Sequence, residues 1–349
     1  MNIEDMLSFD QNIKSCLPIS IQKMKRSNIY NKRWGSTSCI HNGYFYVFGG
    51  ELNSEEKNIQ TSVMRLNIKE PNLKYWEKVG ENINSTLDNV IGHSSILTNN
   101  KWVHYFGNSH EISQNSIYVF DLNLFTWSPI CVNSNIKPRE GHNTVLFDNQ
   151  FAITIGGFSI SCYSKKTELE TNSFVFHDLK SNDLKEMSTD RLTIKGIFTP
   201  RKDFCLTNVN NIGYLHGGLS IVKSKENPSI FSNIFKITFE FLENKGNLSE
   251  YYENFDFFKI SELYWIKLKI KDVCYEGEKI KLHSHSSCNI LNKSILYIGG
   301  ETENLANNKN RDFIPNKSIY LYNIKQNRMV EIHTLRNKIP PRLSTTVQN

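Results

Sequence analysis

Tyr44 to Gly50 reads YFYVFGG, a short aromatic and aliphatic strand that ends in two glycines. The same figure returns as QFAITIGG (Gln150 to Gly157), IGYLHGG (Ile212 to Gly218) and SILYIGG (Ser294 to Gly300). A weaker copy, KWVHYFGN, covers Lys101 to Asn108, with Gly107 as its first glycine and Asn108 where the second would stand. The first glycines, Gly49, Gly107, Gly156, Gly217 and Gly299, lie 58, 49, 61 and 82 residues apart, a unit of roughly 50 residues that carries insertions. A repeat of this length fixes the architecture before any single residue is interpreted.

The neighbourhood of each glycine pair predicts a four-stranded antiparallel unit. Upstream lies a first strand, a, of small residues: RWGSTSCI from Arg33, GHSSIL from Gly92, PREGHNTVLF from Pro138, PRKDFCLT from Pro200 and HSHSSCNI from His283. Strand b is the run that ends in glycine. Alternating apolar runs follow as strand c, from Val63, Ile117, Phe174, Ile234 and Ile319. Strand d carries Trp76, Trp127, Leu184 to Met187, Trp265 or Met329 to Ile332, after turns rich in Asn, Asp and Lys.

These residues resemble the kelch family: a basic or Pro-Arg start, Gly-Gly after an aromatic and aliphatic strand, an aromatic in strand c and a Trp in strand d. The resemblance runs from Arg33 to the C-terminus and implies an all-β, kelch-type β-propeller with five recognisable repeats. The glycines Gly49, Gly50, Gly107, Gly156, Gly157, Gly217, Gly218, Gly299 and Gly300, with Trp76, Trp127 and Trp265, read as structural positions of the repeat. Strand b must bend sharply where neighbouring blades press close, which favours residues without Cβ. A Trp on the outer strand buries a large apolar face between blades while its N–H finds a partner.

Closure of the ring is expected to involve both termini. PPRLSTTVQN from Pro340 reads as strand a of a partial sixth unit, and MLSFD (Met6 to Asp10) and PISIQKM (Pro18 to Met24) could return as its outer strands. Six blades, the last shared by the termini or incomplete, are favoured, because mixing the termini hides an exposed edge. A five-bladed ring and a fragment that lost its end are the alternatives. The domain reading is thus an N-terminal segment, 1–32, and a propeller, 33–349, with an insertion at 239–262 in the fourth blade. That insertion, rich in Tyr and Phe among acids, reads as an excursion hairpin or helix.

Composition narrows the function classes. A formal charge of +6 is spread among Asp and Glu, and KMKR at Lys23 to Arg26 is the sole dense basic patch, so neither a nucleic-acid nor a membrane partner is expected. Seven cysteines lie far apart with no C-x-x-C, which suggests buried free thiols instead of a zinc module or disulfide framework. Cys39, Cys205 and Cys288 fall at similar points of strand a. An acidic N-terminus without an apolar run predicts a cytoplasmic protein with nuclear access.

In an antiparallel meander the b-to-c and d-to-a connections share one face, and here the b-to-c set is long: 51–62, 109–116, 158–172, 219–233 and 301–317. That mouth is the expected partner site. Aligned starts of strand a put Arg33, Arg139, Arg201, His283 and Arg342 at equivalent positions around it, with Ile91 in the second unit. Guanidinium groups facing one mouth would bind a protein or an acidic or phosphorylated peptide through charge-assisted hydrogen bonds. The competing reading is that each Arg ties its own loop, as a feature repeated in every blade suggests.

No catalytic residue, cofactor or metal is assigned. G-x-S-x-G, the P-loop, H-E-x-x-H and G-x-G-x-x-G are all absent. His283 and His285 alternate on one strand, His93 and His142 share a Gly-His position, and His216 reads as a core or channel residue; no third metal ligand is fixed by spacing. The sequence therefore favours a non-catalytic interaction scaffold. The alternative is an enzyme acting on a sugar or anionic metabolite at the central mouth. Copper radical oxidases and sialic acid mutarotases are propeller enzymes that resemble the kelch group, though their active sites do not map onto this chain.

Overall fold

The computed structural model describes residues 33–52, 62–69, 75–80, 90–109, 112–132, 135–160, 168–170, 173–188, 198–220, 229–243, 257–259, 264–303 and 313–332. They form strands and turns, with no helix among them. The first blade is β1 (Arg33–His41), β2 (Tyr44–Leu52), β3 (Val63–Asn67) and β4 (Trp76–Val79), paired in that order. The second is β5 (Ser94–Thr98), β6 (Lys101–Ser109), β7 (Ile112–Asp121) and β8 (Thr126–Ile130). In the third, β9 (Asn143–Phe147) and β10 (Phe151–Ile155) pair with β13 (Ser173–Asp178) and β14 (Asp183–Ser188), while β11 (Phe158–Ile160) and β12 (Glu168–Glu170) form a separate hairpin.

The fourth blade is β15 (Cys205–Val209), β16 (Ile212–His216), β19 (Ile234–Glu243) and β21 (Tyr264–Val273). β17 (Leu219–Ser220) and β18 (Ser229–Ile230) form a small hairpin, and β20 (Phe257–Lys259) adds a fifth strand outside β21. The fifth is β23 (His283–Ile290), β24 (Ser294–Glu303), β26 (Ile319–Asn323) and β27 (Arg328–Ile332). β22 (Glu276–Gly277) joins its outer edge parallel to β27, and β25 (Phe313–Pro315) pairs with the end of β24. This is the all-β, kelch-type propeller that the repeats predict. The inner strands neighbour one another in the order β1, β5, β9, β15, β23. Closure between the fifth and first blades, including the expected shared sixth blade, lies outside the described residues.

Turn chemistry explains the hairpins. Between inner strands, Asn42–Gly43, Asp148–Asn149, Asn210–Asn211 and Leu291–Asn292 hold both central residues at positive φ, the type I′ geometry whose twist matches paired strands. Between the outer strands, the carboxylate of Asp121 accepts the N–H groups of Asn123 and Leu124, and that of Asp178 accepts the N–H of Lys180. The fourth blade's insertion prolongs the hairpin of β19 and β21, which stay paired from Ile234 opposite Val273 out to Glu243 opposite Tyr264.

Blades stack through apolar faces. Val145, Ile153, Phe174 and Phe176 of the third meet Leu215, Phe235, Ile237 and Ile266 of the fourth. Tyr214 and Ile234 of the fourth meet Ile295, Tyr297 and Tyr322 of the fifth. On the opposite face of the fifth sheet, Ile319, Leu321 and Ile332 gather in a separate cluster. Two expectations about Trp need correction. The buried Nε1 of Trp127 has no hydrogen-bond partner, and its ring packs instead on Phe48 and Phe120, with centroids 4.6 and 4.8 Å away. The Trp buried most completely is Trp102, on strand b, and the side chain of Trp265 lies outside the described residues.

The glycine pairs are required by a close approach between blades. A Cβ on Gly49 (φ +68) would stand 2.6 Å from both the Val90 carbonyl and His93 Cε1 of the next blade. On Gly156 (φ +65) it would stand 2.6 Å from the Arg201 carbonyl and 2.8 Å from Phe204 Cε1. The second repeat is in a different register from the expected one. Asn108 pairs with Ile91 as Glu51 does with Trp34, so Gly107 occupies the second glycine position and Phe106, at φ 54, takes the first. Phe106 meets the His142 ring edge-on at 5.4 Å and lies 5.6 Å from the Arg139 guanidinium carbon, contacts that hold a bulky residue in the left-handed region.

Candidate functional site

A belt of left-handed residues surrounds the head of the central channel. Gly35, Gly92, Gly141, Asp203 and Ser284 have φ of 67, 62, 63, 54 and 53° and stand one per blade at the start of strand a. Each accepts from the next: Gly92 N–H donates to the Gly35 carbonyl at 3.1 Å, Gly141 to Gly92 at 3.0 Å, Asp203 to Gly141 at 2.8 Å and Ser284 to Asp203 at 2.7 Å. Below the belt lies a cavity of about 410 Å³ lined largely by hydroxyls and imidazoles, among them Thr37, Ser94, Thr144, His93, His142 and His285. Thr37 Oγ1 lies 2.8 Å from His93 Nε2, Ser94 Oγ lies 2.5 Å from Thr144 Oγ1, and Thr207 bonds Ser287. These groups hydrogen-bond the channel wall from blade to blade, while Ile96, Val145 and Leu206 give it apolar stretches.

The residue before each belt member forms the rim: Trp34, Ile91, Glu140, Lys202 and His283. The residue before that turns inward. The second glycine of each pair proves the register, since the N–H groups of Gly50, Gly107, Gly157 and Gly218 donate to the carbonyls of Val90, Arg139, Arg201 and Leu282 at 2.8 to 3.0 Å. Arg33, Val90, Arg139, Arg201 and Leu282 are therefore equivalent. His283, expected among the arginines, belongs to the rim one residue later.

The expectation of converging, ligand-ready arginines is corrected for two of them. Arg139 and Arg201 are 0% and 1% exposed. Arg139 donates to the Gly156 and Ser173 carbonyls, to Ser173 Oγ at 2.9 Å and to Glu186 Oε1 at 2.8 Å. Burial lowers its pKa to about 10, which leaves it charged at neutral pH and paired with Glu186. Arg201 donates to the Gly217 carbonyl at 3.0 Å and to that of Thr199 at 3.1 Å, and its guanidinium lies 3.9 Å from the Phe231 ring centroid. Half-buried Arg33 donates to the Gly49 carbonyl at 3.1 Å. Each of the three caps the first glycine of its own strand b. In the fifth blade, where Leu282 replaces Arg, Asn316 Nδ2 donates to the Gly299 carbonyl instead, at 3.0 Å. Arg342 lies outside the described residues.

The rim carries mixed chemistry. Buried Glu140 accepts from Asn108 Nδ2 and Ser113 Oγ, and burial raises its pKa. Lys202 Nζ sits 3.8 Å from the Phe158 ring centroid. Burial lowers the His283 pKa to about 4, so at neutral pH an uncharged imidazole faces the Glu301 carboxylate at 3.5 Å. Trp34, which sequence reasoning passed over, is 42% exposed. Its signal is its place between Arg33 and Gly35, one residue before the belt. Around this face, the connections between strands b and c are in part hairpins: β6 and β7 extend to Ser109 and Ile112, and β11 with β12 and β17 with β18 pair above the ring. Among the described residues, Cys39 and Cys205 are buried, Cys288 is half-buried, and Cys131 and Cys274 are exposed, all five of them free, while Cys16 and Cys162 lie outside the described residues. Cys205 sits two residues nearer the belt than Cys39 and Cys288, so the three are not equivalent.

Residues 4–226 match the family model described as the KLHDC2/KLHL20/DRC7 Kelch-repeats domain, more than half of the chain. The chain belongs to this kelch-repeat family. Kelch domains generally bind proteins. A solved structure titled "Structure of YjhT" is similar in fold, with a TM-score of 0.63 and 12% sequence identity over 93% of this chain and 89% of that one. At that identity the likeness shows the kelch propeller fold alone. No curated protein matches the chain.

Proposed function

We propose that this kelch propeller is a non-catalytic interaction scaffold of the cytosol or nucleus that binds a protein partner at the mouth where the inner strands begin. The observation that carries the reading is Trp34, 42% exposed on a rim whose backbone is locked by the belt below it. Large aromatics on rigid mouths are the residues that dominate protein interfaces. Exposed free thiols at Cys131 and Cys274 fit a reducing compartment. With Arg139 and Arg201 buried, an acidic or phosphorylated segment of the partner would meet Lys202 and half-buried Arg33 instead.

Affinity purification with the full chain, followed by mass spectrometry and titration of the recovered partner, tests this. Trp34→Ala is expected to weaken binding by about 2 kcal/mol or more, roughly 30-fold. Its stability should change by no more than about 0.5 kcal/mol, because the side chain is on the surface. Undiminished binding by that variant would remove Trp34 from the interface.

A second reading, a small-molecule site in the channel, is favoured by the polar lining of a cavity of about 410 Å³. Pockets that take small ligands start at a similar size and likewise combine apolar walls with a few polar groups. Loss of partner binding with the channel unaltered separates the two readings.

A further inference from the structure

Between the fourth and fifth blades three metal-ligating side chains converge. Cys205 opens β15, His216 ends β16 directly opposite it, and His285 enters from β23 of the next blade. Cys205 Sγ and His216 Nδ1 each lie 3.0 Å from His285 Nε2, and one ligand atom from each residue falls within 4.8 Å of the others. All three residues are buried, and Cys205 and His285 line the central channel. We propose that Cys205, His216 and His285 form a zinc site whose fourth coordination position opens into the channel.

Proton counting favours an ion over a hydrogen-bonded cluster. His285 Nε2 carries either one lone pair or one proton, yet it faces a thiol and an imidazole nitrogen at equal distance. As a donor it must split one proton between sulfur and nitrogen; as an acceptor it has a single lone pair for the His216 N–H and the Cys205 S–H, and the thiol's other acceptor is the His216 carbonyl at a long 3.7 Å. His285 Nδ1 is then left buried without a partner. A cation at the centre uses the three lone pairs together.

The junctions between other blades show that the arrangement is not architectural repetition. The corresponding positions hold Thr37, Phe48 and His93 between the first and second blades, and Asn143, Ile155 and Phe204 between the third and fourth. Neither trio offers three ligands, although the backbone geometry is the same.

The ligand set suits zinc. Thiolate and imidazole are its preferred donors, at about 2.3 Å for sulfur and 2.0–2.1 Å for nitrogen, and three protein ligands with one open position is the pattern of reactive sites. A tetrahedral centre sets those atoms roughly 3.3–3.6 Å apart, so the two pairs now at 3.0 Å need to open by a few tenths of an ångström. Burial keeps both histidines neutral, as ligands must be, and raises the Cys205 thiol pKa to about 12. Binding therefore replaces the S–H bond with a metal–sulfur bond and releases one proton to solvent.

The test uses the full chain, stripped with a chelator and shown by circular dichroism to be folded. Cobalt(II) should bind at one equivalent with the near-ultraviolet thiolate charge-transfer band of a tetrahedral site, and zinc should displace it. Elemental analysis after dialysis against zinc should give one zinc per chain. The near-isosteric Cys205→Ser should abolish the band and weaken zinc binding at least tenfold, while Cys131→Ser and Cys274→Ser retain both. No thiolate band in folded protein with excess cobalt, or a band that survives Cys205→Ser, overturns the site. Uptake of copper but not zinc, lost in Cys205→Ser, overturns the zinc assignment.

Discussion

Taken from pH 7 to pH 5 in the presence of a chelator, the protein is expected to lose most of its stability and unfold. The cause is its set of buried imidazoles. Burial lowers the pKa of His93 and His216 to about 3 and of His283 to about 4, and it lowers those of His104, His142 and His285 as well. In the unfolded chain these residues take up protons near pH 6.5. Between pH 6.5 and the folded values the unfolded state binds more protons, so stability is fully present above pH 6.5 and falls as pH drops. Each imidazole removes about 1 kcal/mol per pH unit, and six together rival the whole stability of a typical domain, about 5–15 kcal/mol. Glu140 and Glu301, whose pKa values burial raises, act in the opposite sense but are only two. Urea denaturation at half-unit pH steps measures this. A midpoint that stays constant from pH 7 to pH 5 would show that the imidazoles are not held neutral by the fold.

Arg139→Ala should cost about 3–5 kcal/mol, the range for removing one partner of a buried ion pair. The guanidinium is wholly buried and its donors serve Gly156, Ser173 and Glu186. Without it, the Glu186 carboxylate loses its paired cation and is left with neutral donors such as the Ser173 hydroxyl and the Lys137 N–H, and a cavity opens behind the glycine bend. Arg65 supplies the control. It pairs with Glu77 at the same 2.8 Å, but the side chains are 21% and 40% exposed, so Arg65→Ala should cost less than about 1 kcal/mol. Equal losses in the two variants, by chemical denaturation, would contradict the architectural role given to Arg139.

These effects mark what the sequence made legible. The glycine pairs, the alternating third strands and the turn residues are local signals, and the kelch-type propeller with five recognisable blades that they imply is the fold observed. What failed was register by one residue. Phe106 stands where a glycine was expected in the left-handed region, and its contacts with His142 and Arg139 and its place in a cluster with Ile136 and Val175, all distant in sequence, hold it there. His283 was grouped with the arginines because Leu282 interrupts their pattern. The direction of a guanidinium is likewise invisible in sequence: Arg139 looks the same whether it faces a ligand or the Glu186 carboxylate. Trp34 and the trio of Cys205, His216 and His285 emerge once inner strands are aligned on the belt residue, a position filled by Gly, Asp or Ser and so without a single-letter signature.

That belt is the centre of the account, because it sets the blade order, the rim and the channel at once. Amide hydrogen exchange of the full chain at neutral pH tests it most directly. The N–H groups of Gly92, Gly141, Asp203 and Ser284 should exchange as slowly as those of the inner strands, since each donates to the preceding blade. Exchange at the rate of exposed loops at these four positions would mean that the blades are not joined as described.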